Sequence, residues 1–573
     1  MGGISARCAC DTANAISGAP DPILRLDWQD ANVEVSSLAD VYGGQVATLF
    51  IVKSRYRSHL PGSAMFVFGS GTAIMRRRCP ESILAILLLV SWALMLRMSL
   101  SHDVVYQMWV ARQLIGGTRL YGEIVELNPP LWFWMAVPIE RMAQILGATA
   151  GAAVVTAVTA FAALALASLA AIISDDTIGR RMVLLSAAGL SMLLIPLADF
   201  GQREHLALIG ALPYAFLIAR RADGAVVSLK TAATAGALAA AGFALKHYFV
   251  MVPILLELWL IFRLRRTWRP FRPETMVLGA AASVYAIAVF VFAQEYLRTI
   301  VPMLAAAYDG YNSSLQTQLL NPRVLFWGLA AIVIACLRKR APSESIAAGV
   351  AAIGFALAYF AQQKGFRYHT VPVTGLAFFA LCAMLNLHER TAGAAIRQTA
   401  IMVVGLIPVL LAALLGPYRN PNEEPVLALL HTVPPGSPVI MLTANPSNIW
   451  PMIENQGLVW PSRHFSFWMT IVMAKQLKAA GRLTPTLEVM AENVRTQTAD
   501  DLICNPPDMI LVDDLSRSKA GTFDLVAFFS ENEEFRAIFS HYAKRESAMN
   551  FTAYAKQGNW RPENRPSMCR NVF

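Results

Sequence analysis

Long apolar runs alternate with short polar turns over most of the chain, as in ESILAILLLVSWALMLRMSL and AVVTAVTAFAALALASLAAII. At about 1.5 Å per residue, runs of this length reach across roughly 30 Å of hydrocarbon as helices. The pattern predicts roughly eleven spans, near 82–100, 149–173, 182–198, 204–220, 231–246, 248–263, 276–293, 323–337, 345–361, 371–387 and 397–416. Two regions break the alternation. Residues 1–75 are polar and mixed and look foreign to the rest, either an N-terminal tail or the result of a start codon placed upstream of Met65 or Met75. From about Gly416 onward the chain falls to soluble composition, with strand-like PVIMLTA and MILVDD between helix-like segments. The expected architecture is a polytopic α-helical membrane domain over 76–417, with a small C-terminal α/β domain over 418–573.

Composition agrees with the pattern. The chain of 573 residues is 56% hydrophobic and only 15% charged, too apolar for the surface of a water-soluble protein. Its net charge of +10 does not imply nucleic acid, because the basic residues come in short clusters between apolar runs. Arg76-Arg77-Arg78, Arg180-Arg181, Arg220-Arg221, Arg263 to Arg269, Arg338-Lys339-Arg340 and Arg390 with Arg397 fall in alternate connections. That excess marks cytoplasmic loops, so the N-terminus is expected inside and the C-terminal domain outside. Cys504 and Cys569 are available for a disulfide in the polar region, and neither a CxxC pair nor a zinc-like spacing occurs.

The first outer segment, 101–147, holds the amphipathic stretches VVYQMWVARQLI and PLWFWMAVPIERMAQIL, whose Trp residues suit helices lying in the interface. Once the topology is drawn, ionisable residues gather at the outer face, where burying charge costs free energy and marks function. Asp103 follows the first span; Asp199, Arg203, Glu204 and His205 form the turn between the third and fourth. Lys246 and His247 sit between the fifth and sixth, and Lys364, Arg367, Tyr368 and His369 between the ninth and tenth. A carboxylate can take a proton from an acceptor hydroxyl while Lys and Arg hold a phosphate leaving group. Any one of these side chains could instead cap a helix or reach to the interface. The histidines with Asp103 and Glu204 are also ligand types for a divalent cation, which stays open, although no HExxH or DxD spacing supports it. No cofactor is firmly implied.

The stretch SHDVVYQMWVARQLIGGTRLYGEIVELNPPLWFWMAVP, with Asp103, Tyr106, Gly117, Tyr121 and Asn128-Pro129-Pro130-Leu131, resembles the first outer loop of bacterial GT-C glycosyltransferases, the group related to protein mannosyltransferases and lipid A aminoarabinose transferases. DFGQREHLALIGALPY and KGFRYHTVP are similar to later landmarks of that architecture. The resemblance implies an inverting hexosyl or pentosyl transfer at the outer face of a bacterial inner membrane, from a polyprenyl-phosphate-linked sugar to a lipid, glycan or protein hydroxyl. It implies Asp103 as base, with Glu204 or Asp199 as second acid and Glu123 or Glu126 behind them. Lys246, Arg367, Arg203 and Lys364 would hold the donor phosphate, and Tyr106, Tyr121, His205, His247, Tyr368 and His369 would line the substrate site. One departure is that His102-Asp103-Val104 stands where many relatives carry an Asp-Glu pair. The rival expectations are a transporter or flippase of lipid-linked sugars, which would place polar groups near mid-membrane in two related halves, and a non-catalytic cell-envelope assembly protein.

Overall fold

The computed structural model describes residues 33–42, 45–54, 64–66, 71–385, 407, 423–514, 523–558, 560–562 and 569. It divides into two compact units, Met1–Ser82 and Ile83–Phe573. The first contains three strands, β1 (Val33–Tyr42), β2 (Gln45–Ser54) and β3 (Ala64–Phe66), in an antiparallel sheet of order β1-β2-β3. The register pairs Val35 with Val52 and Tyr42 with Gln45. The sequence reading foresaw no periodic element there, because polar and apolar residues share both strands without clean alternation.

The helices run in chain order α1 (Gly71–Met95), α2 (His102–Ile115), α3 (Leu131–Leu146), α4 (Ala150–Ile172), α5 (Ile178–Leu193), α6 (Arg203–Ala222) and α7 (Leu229–Phe243). After them come α8 (Met251–Leu264), α9 (Pro273–Phe292), α10 (Val301–Ala307), α11 (Leu315–Leu319), α12 (Pro322–Cys336), α13 (Ser343–Gln362) and α14 (Val371–Leu385). Helices therefore occupy the first ten expected spans, and the one expected at 397–416 lies outside the described residues. Among the described residues, four helical stretches are long and apolar enough to cross a membrane: Ala150–Ile172, His247–Thr267, Pro273–Phe292 and Ser343–Gln362. The others are shorter or carry more charge. α9 buries none of its most apolar stretch within the molecule and leaves Val284, Ile287, Phe290 and Phe292 exposed. Water would not tolerate such a face on a soluble protein, and lipid does.

α6 is the central helix, buried along its length from Arg203 to Ala219. It can lie close to α7 because Gly210 has no side chain: a Cβ there would come within 2.4 Å of the Leu238 carbonyl oxygen. At one end of this bundle the basic clusters are paired. Arg221 Nε lies 3.1 Å from Glu274 Oε1 and Arg272 Nε 2.8 Å from the same oxygen, while Arg180 pairs with Glu344 and Arg220 with Asp176. The sequence predicts basic clusters at this end, and the structure adds the acids that pair with them, Asp176, Glu274 and Glu344.

The chain from Glu423 to Trp560 contributes a four-stranded sheet, β4 (Val439–Leu442), β5 (Met509–Asp513), β6 (Tyr542–Ala548) and β7 (Phe551–Lys556), in the order β4-β5-β7-β6. β4 and β5 are parallel, and the remaining pairs are antiparallel. β4 and β5 are buried throughout, which is why both read as short continuous apolar runs. A disulfide joins Cys504 to Cys569.

Candidate active site

Asp103 sits in the first turn of α2, where the positive end of the helix dipole favours an anion. Both of its oxygens are engaged. His102 Nε2 lies 3.3 Å from Oδ1, and Gln202 Nε2 donates to Oδ2 at 3.1 Å and to Ser101 Oγ at 2.8 Å. Burial alone would raise this acid, but His102, Arg203, the Gln202 hydrogen bond and Lys246 outweigh it and hold the carboxyl below its ordinary value. The group is ionised throughout the physiological range.

The turn before α6 supplies the next side chains. Gly201 takes a left-handed φ of 82°, which a residue with a Cβ adopts only under strain. Its N–H donates to His205 Nδ1 at 3.0 Å, and His205 Nε2 lies 2.6 Å from the Met192 carbonyl. His205 is fully buried with both ring nitrogens committed to backbone, so it pins the turn rather than facing a ligand. The turn in this way presents Asp199, Gln202, Arg203 and Glu204 together.

Arg203 is 2% exposed. Its guanidinium donates to Asn128 Oδ1 and lies 4.6 Å from the Trp132 ring centre. Asn128 is held in turn by Glu126, whose Oε1 accepts from Leu127 N and Asn128 N at 2.8 Å and from Asn128 Nδ2 at 2.6 Å. Arg203 thus meets the oxygen side of an amide whose orientation Glu126 fixes. Burial pushes Glu126 up to about 7, against the hydrogen bonds of Asn128 and Leu127 and the field of Arg203.

This has a measurable consequence for stability. Between the unfolded value near 4.5 and the folded value near 7, the unfolded chain releases a proton that the folded chain keeps. Stability conferred by this group therefore falls as pH rises through that window, by on the order of 3 kcal/mol for a displacement of that size. Glu126→Gln should flatten the fall, so that the unfolding midpoint in detergent changes less between pH 5 and pH 8 than in wild type. Equal changes in both proteins would show that Glu126 is not the titrating group.

Lys246 emerges from the turn after α7. Its Nζ lies 2.6 Å from Glu204 Oε1, 3.2 Å from Gln362 Oε1 and 3.1 Å from His369 Nε2. Arg367 binds Asp199 in a fork, with Nη2 to Oδ1 at 3.0 Å and Nε to Oδ2 at 3.1 Å. Burial raises Asp199, and Arg367 opposes the rise. Lys364 Nζ donates to the Tyr308 carbonyl and to Asn312 Oδ1, both at 2.6 Å, and lies 3.9 Å from the centre of the Tyr308 ring. Tyr368 carries Lys246 Nζ 5.4 Å from its ring centre and packs edge-on against His369.

The remaining sequence-selected residues lie around this cluster. Tyr106 is buried against the tilted rings of Phe465 and Trp450, at 4.3 and 5.3 Å between ring centres. Tyr121, at a φ of 69°, donates its hydroxyl to the Asn128 carbonyl at 2.6 Å and faces a separate cavity of about 530 Å³ that includes Leu114, Trp134 and Phe292. His247 is exposed and packs on Tyr248. Among the described residues no three His, Cys, Asp or Glu side chains gather as metal ligands. Several buried polar atoms here have no hydrogen-bond partner among the described residues: Tyr106 Oη, Trp132 Nε1, Gln202 Oε1, Arg203 Nε, Glu204 Oε2 and His369 Nδ1.

Sequence reasoning missed Gln202, Gln362, Tyr308 and Asn312 because neutral partners leave no charge signal. It also missed the segment between β4 and residue 468, which packs over α2. Arg112 there binds Glu454 through Nη1 and Nη2, each at 3.1 Å, and Val125 N donates to the Arg463 carbonyl at 2.9 Å.

No protein-family model and no curated protein matches the chain. Among solved structures it is similar to the arabinofuranosyltransferase AftD from Mycobacteria, at 13% identity and a TM-score of 0.43 over 84% of this chain and 40% of that one. The chain therefore spans well under half of the mycobacterial protein. It is similar also to the Archaeoglobus fulgidus oligosaccharyltransferase in the apo form, at 12% identity and a TM-score of 0.42 over 85% and 75% of the two chains. A third is ArnT from Cupriavidus metallidurans bound to undecaprenyl phosphate, at 12% identity and a TM-score of 0.48 over 87% and 100%.

Proposed function

We propose that the protein is a GT-C-type membrane glycosyltransferase that moves a sugar from a polyprenyl-phosphate donor to a hydroxyl acceptor, with inversion, at the outer face of a bacterial cytoplasmic membrane. In this reading the membrane domain has roughly eleven spans, and the C-terminal region lies outside. The observation that carries it is Arg203, a buried guanidinium held by the neutral Asn128 amide and the Trp132 face, with the ionised Asp103 within its field. A desolvated cation of this kind is suited to a phosphate that gains charge as it leaves.

The acceptor oxygen attacks the anomeric carbon from the side opposite the phosphate. The bond between that carbon and the phosphate oxygen breaks with its electrons staying on the phosphate, and Asp103 takes the acceptor proton. Because Asp103 is a weak base, it takes the proton late, once the new bond has made the acceptor oxygen acidic. Arg203, with Lys246, Lys364 and Arg367 nearby, would hold the phosphate. A sugar phosphate would also give partners to the buried atoms of Arg203, Trp132 and Tyr106.

The test is transfer by purified protein in lipid from a panel of radiolabelled polyprenyl-phosphate sugars, with membrane extract as acceptor. Wild type should transfer from at least one donor. Arg203→Gln should lower kcat/KM by about 100-fold or more, as expected for loss of a charged contact to the leaving group. Export or flipping of the donor without any transfer would support a transporter instead.

A further inference from the structure

Asp103 ends a chain of three side chains. His102 Nε2 lies 3.3 Å from Asp103 Oδ1, and Ser447 Oγ lies 3.0 Å from His102 Nδ1, although Ser447 is 345 residues from His102 in sequence. An ionised carboxylate only accepts, so Nε2 carries the proton; when the ring is neutral, Nδ1 accepts and the Ser447 hydroxyl donates. His102 is partly covered, its ring lying over Phe465 from the same C-terminal segment at 6.1 Å between centres. The Arg112–Glu454 fork and the Val125–Arg463 backbone bond fasten that segment to the first outer loop on either side.

We propose that His102 and Ser447 are positioning residues for Asp103, with Ser447 locking the His102 tautomer so that the imidazole clamps one carboxylate oxygen while Gln202 clamps the other. This rests on the reading of Asp103 as the base. It gives a role to the His that stands where many relatives of the resembled family carry an acid. It also makes the C-terminal region part of the catalytic geometry. The charged and titratable groups around Asp103 are His102 on its own helix, Arg203 and Glu204 on α6, Lys246, and the phenols Tyr308 and Tyr368. Ser447 reaches His102 among these groups.

The experiment is the pH profile of sugar transfer by the full chain in lipid for wild type, Ser447→Ala, Ser447→Thr, His102→Gln and the double variant Ser447→Ala/His102→Gln, with Asp103→Asn as reference. Ser447→Ala should lower kcat by roughly 3- to 10-fold, the worth of one hydrogen bond, leave KM unchanged and move the acid limb to higher pH. Ser447→Thr should restore both. In the His102→Gln background, where no tautomer remains to be set, Ser447→Ala should have no further effect. An unmoved acid limb, or additive losses in the double variant, overturns the proposal while leaving Asp103 as base. Full transfer by Asp103→Asn, or no transfer by wild type, takes down the base assignment and this inference together. Unfolding midpoints identify any variant whose loss is one of folding.

Discussion

Asp103→Asn should remove sugar transfer by roughly 100- to 10,000-fold, the range lost with a positioned general base, while leaving the protein folded. The substitution keeps shape and volume and removes only the negative charge. The donor phosphate should bind as tightly or slightly better, because Arg203 and Lys246 lose a competing anion whose field reaches them. The loss should therefore appear in kcat and not in KM. Single-turnover transfer with saturating donor, beside direct donor binding to the same sample, separates the two. A variant that transfers at the wild-type rate would move the base to Glu204 or Asp199.

The second large effect is on stability. Glu204 is 1% exposed and its Oε1 lies 2.6 Å from Lys246 Nζ, itself on a largely buried side chain. Glu204→Ala would strand an ammonium among buried groups, with the neutral Gln362 and His369 as hydrogen-bonding neighbours in place of a carboxylate. Removing one partner of such a pair costs about 3–5 kcal/mol, whereas replacing both by apolar groups of similar volume is far milder. Thermal unfolding in lipid should show a large drop for Glu204→Ala and substantial recovery in Glu204→Leu/Lys246→Met. A small drop for the single variant would mean that water reaches Lys246 and screens it. The recovered double variant should still transfer poorly, since Lys246 is assigned to the donor phosphate.

Much of this was legible in the chain because apolar runs and polar turns obey different solvents. Charged residues at the ends of runs could be assigned to one face from the basic clusters alone, and the structure does bring Asp103, Arg203, Glu204, Lys246 and His369 together. Their individual tasks were less legible. His205 has the same composition signal as His369, yet the backbone at Gly201 and Met192 consumes both its nitrogens. Tyr121 is drawn to Asn128 and a separate cavity by its left-handed backbone. Glu126 looked like one loop acid among several, and only burial distinguishes it from Glu123, which pairs with Arg119 at the surface. Ser447 and Phe465 could not be foreseen, because no periodicity links residues so far apart in sequence to the first outer loop.

The clasp formed by Arg112 with Glu454 and by Val125 with Arg463 also bears on the order in which the protein is made. Every residue proposed to bind the donor phosphate is synthesised before Glu454, whereas the Phe465 and Trp450 rings beside Tyr106 and the Ser447 hydroxyl on His102 come from residues 447–465. A nascent chain halted between α14 and β4 would hold the charged turns but lack the hydroxyl and ring held against His102. Completion of the C-terminal region, rather than insertion of the helices, would then be the event that finishes the proposed site.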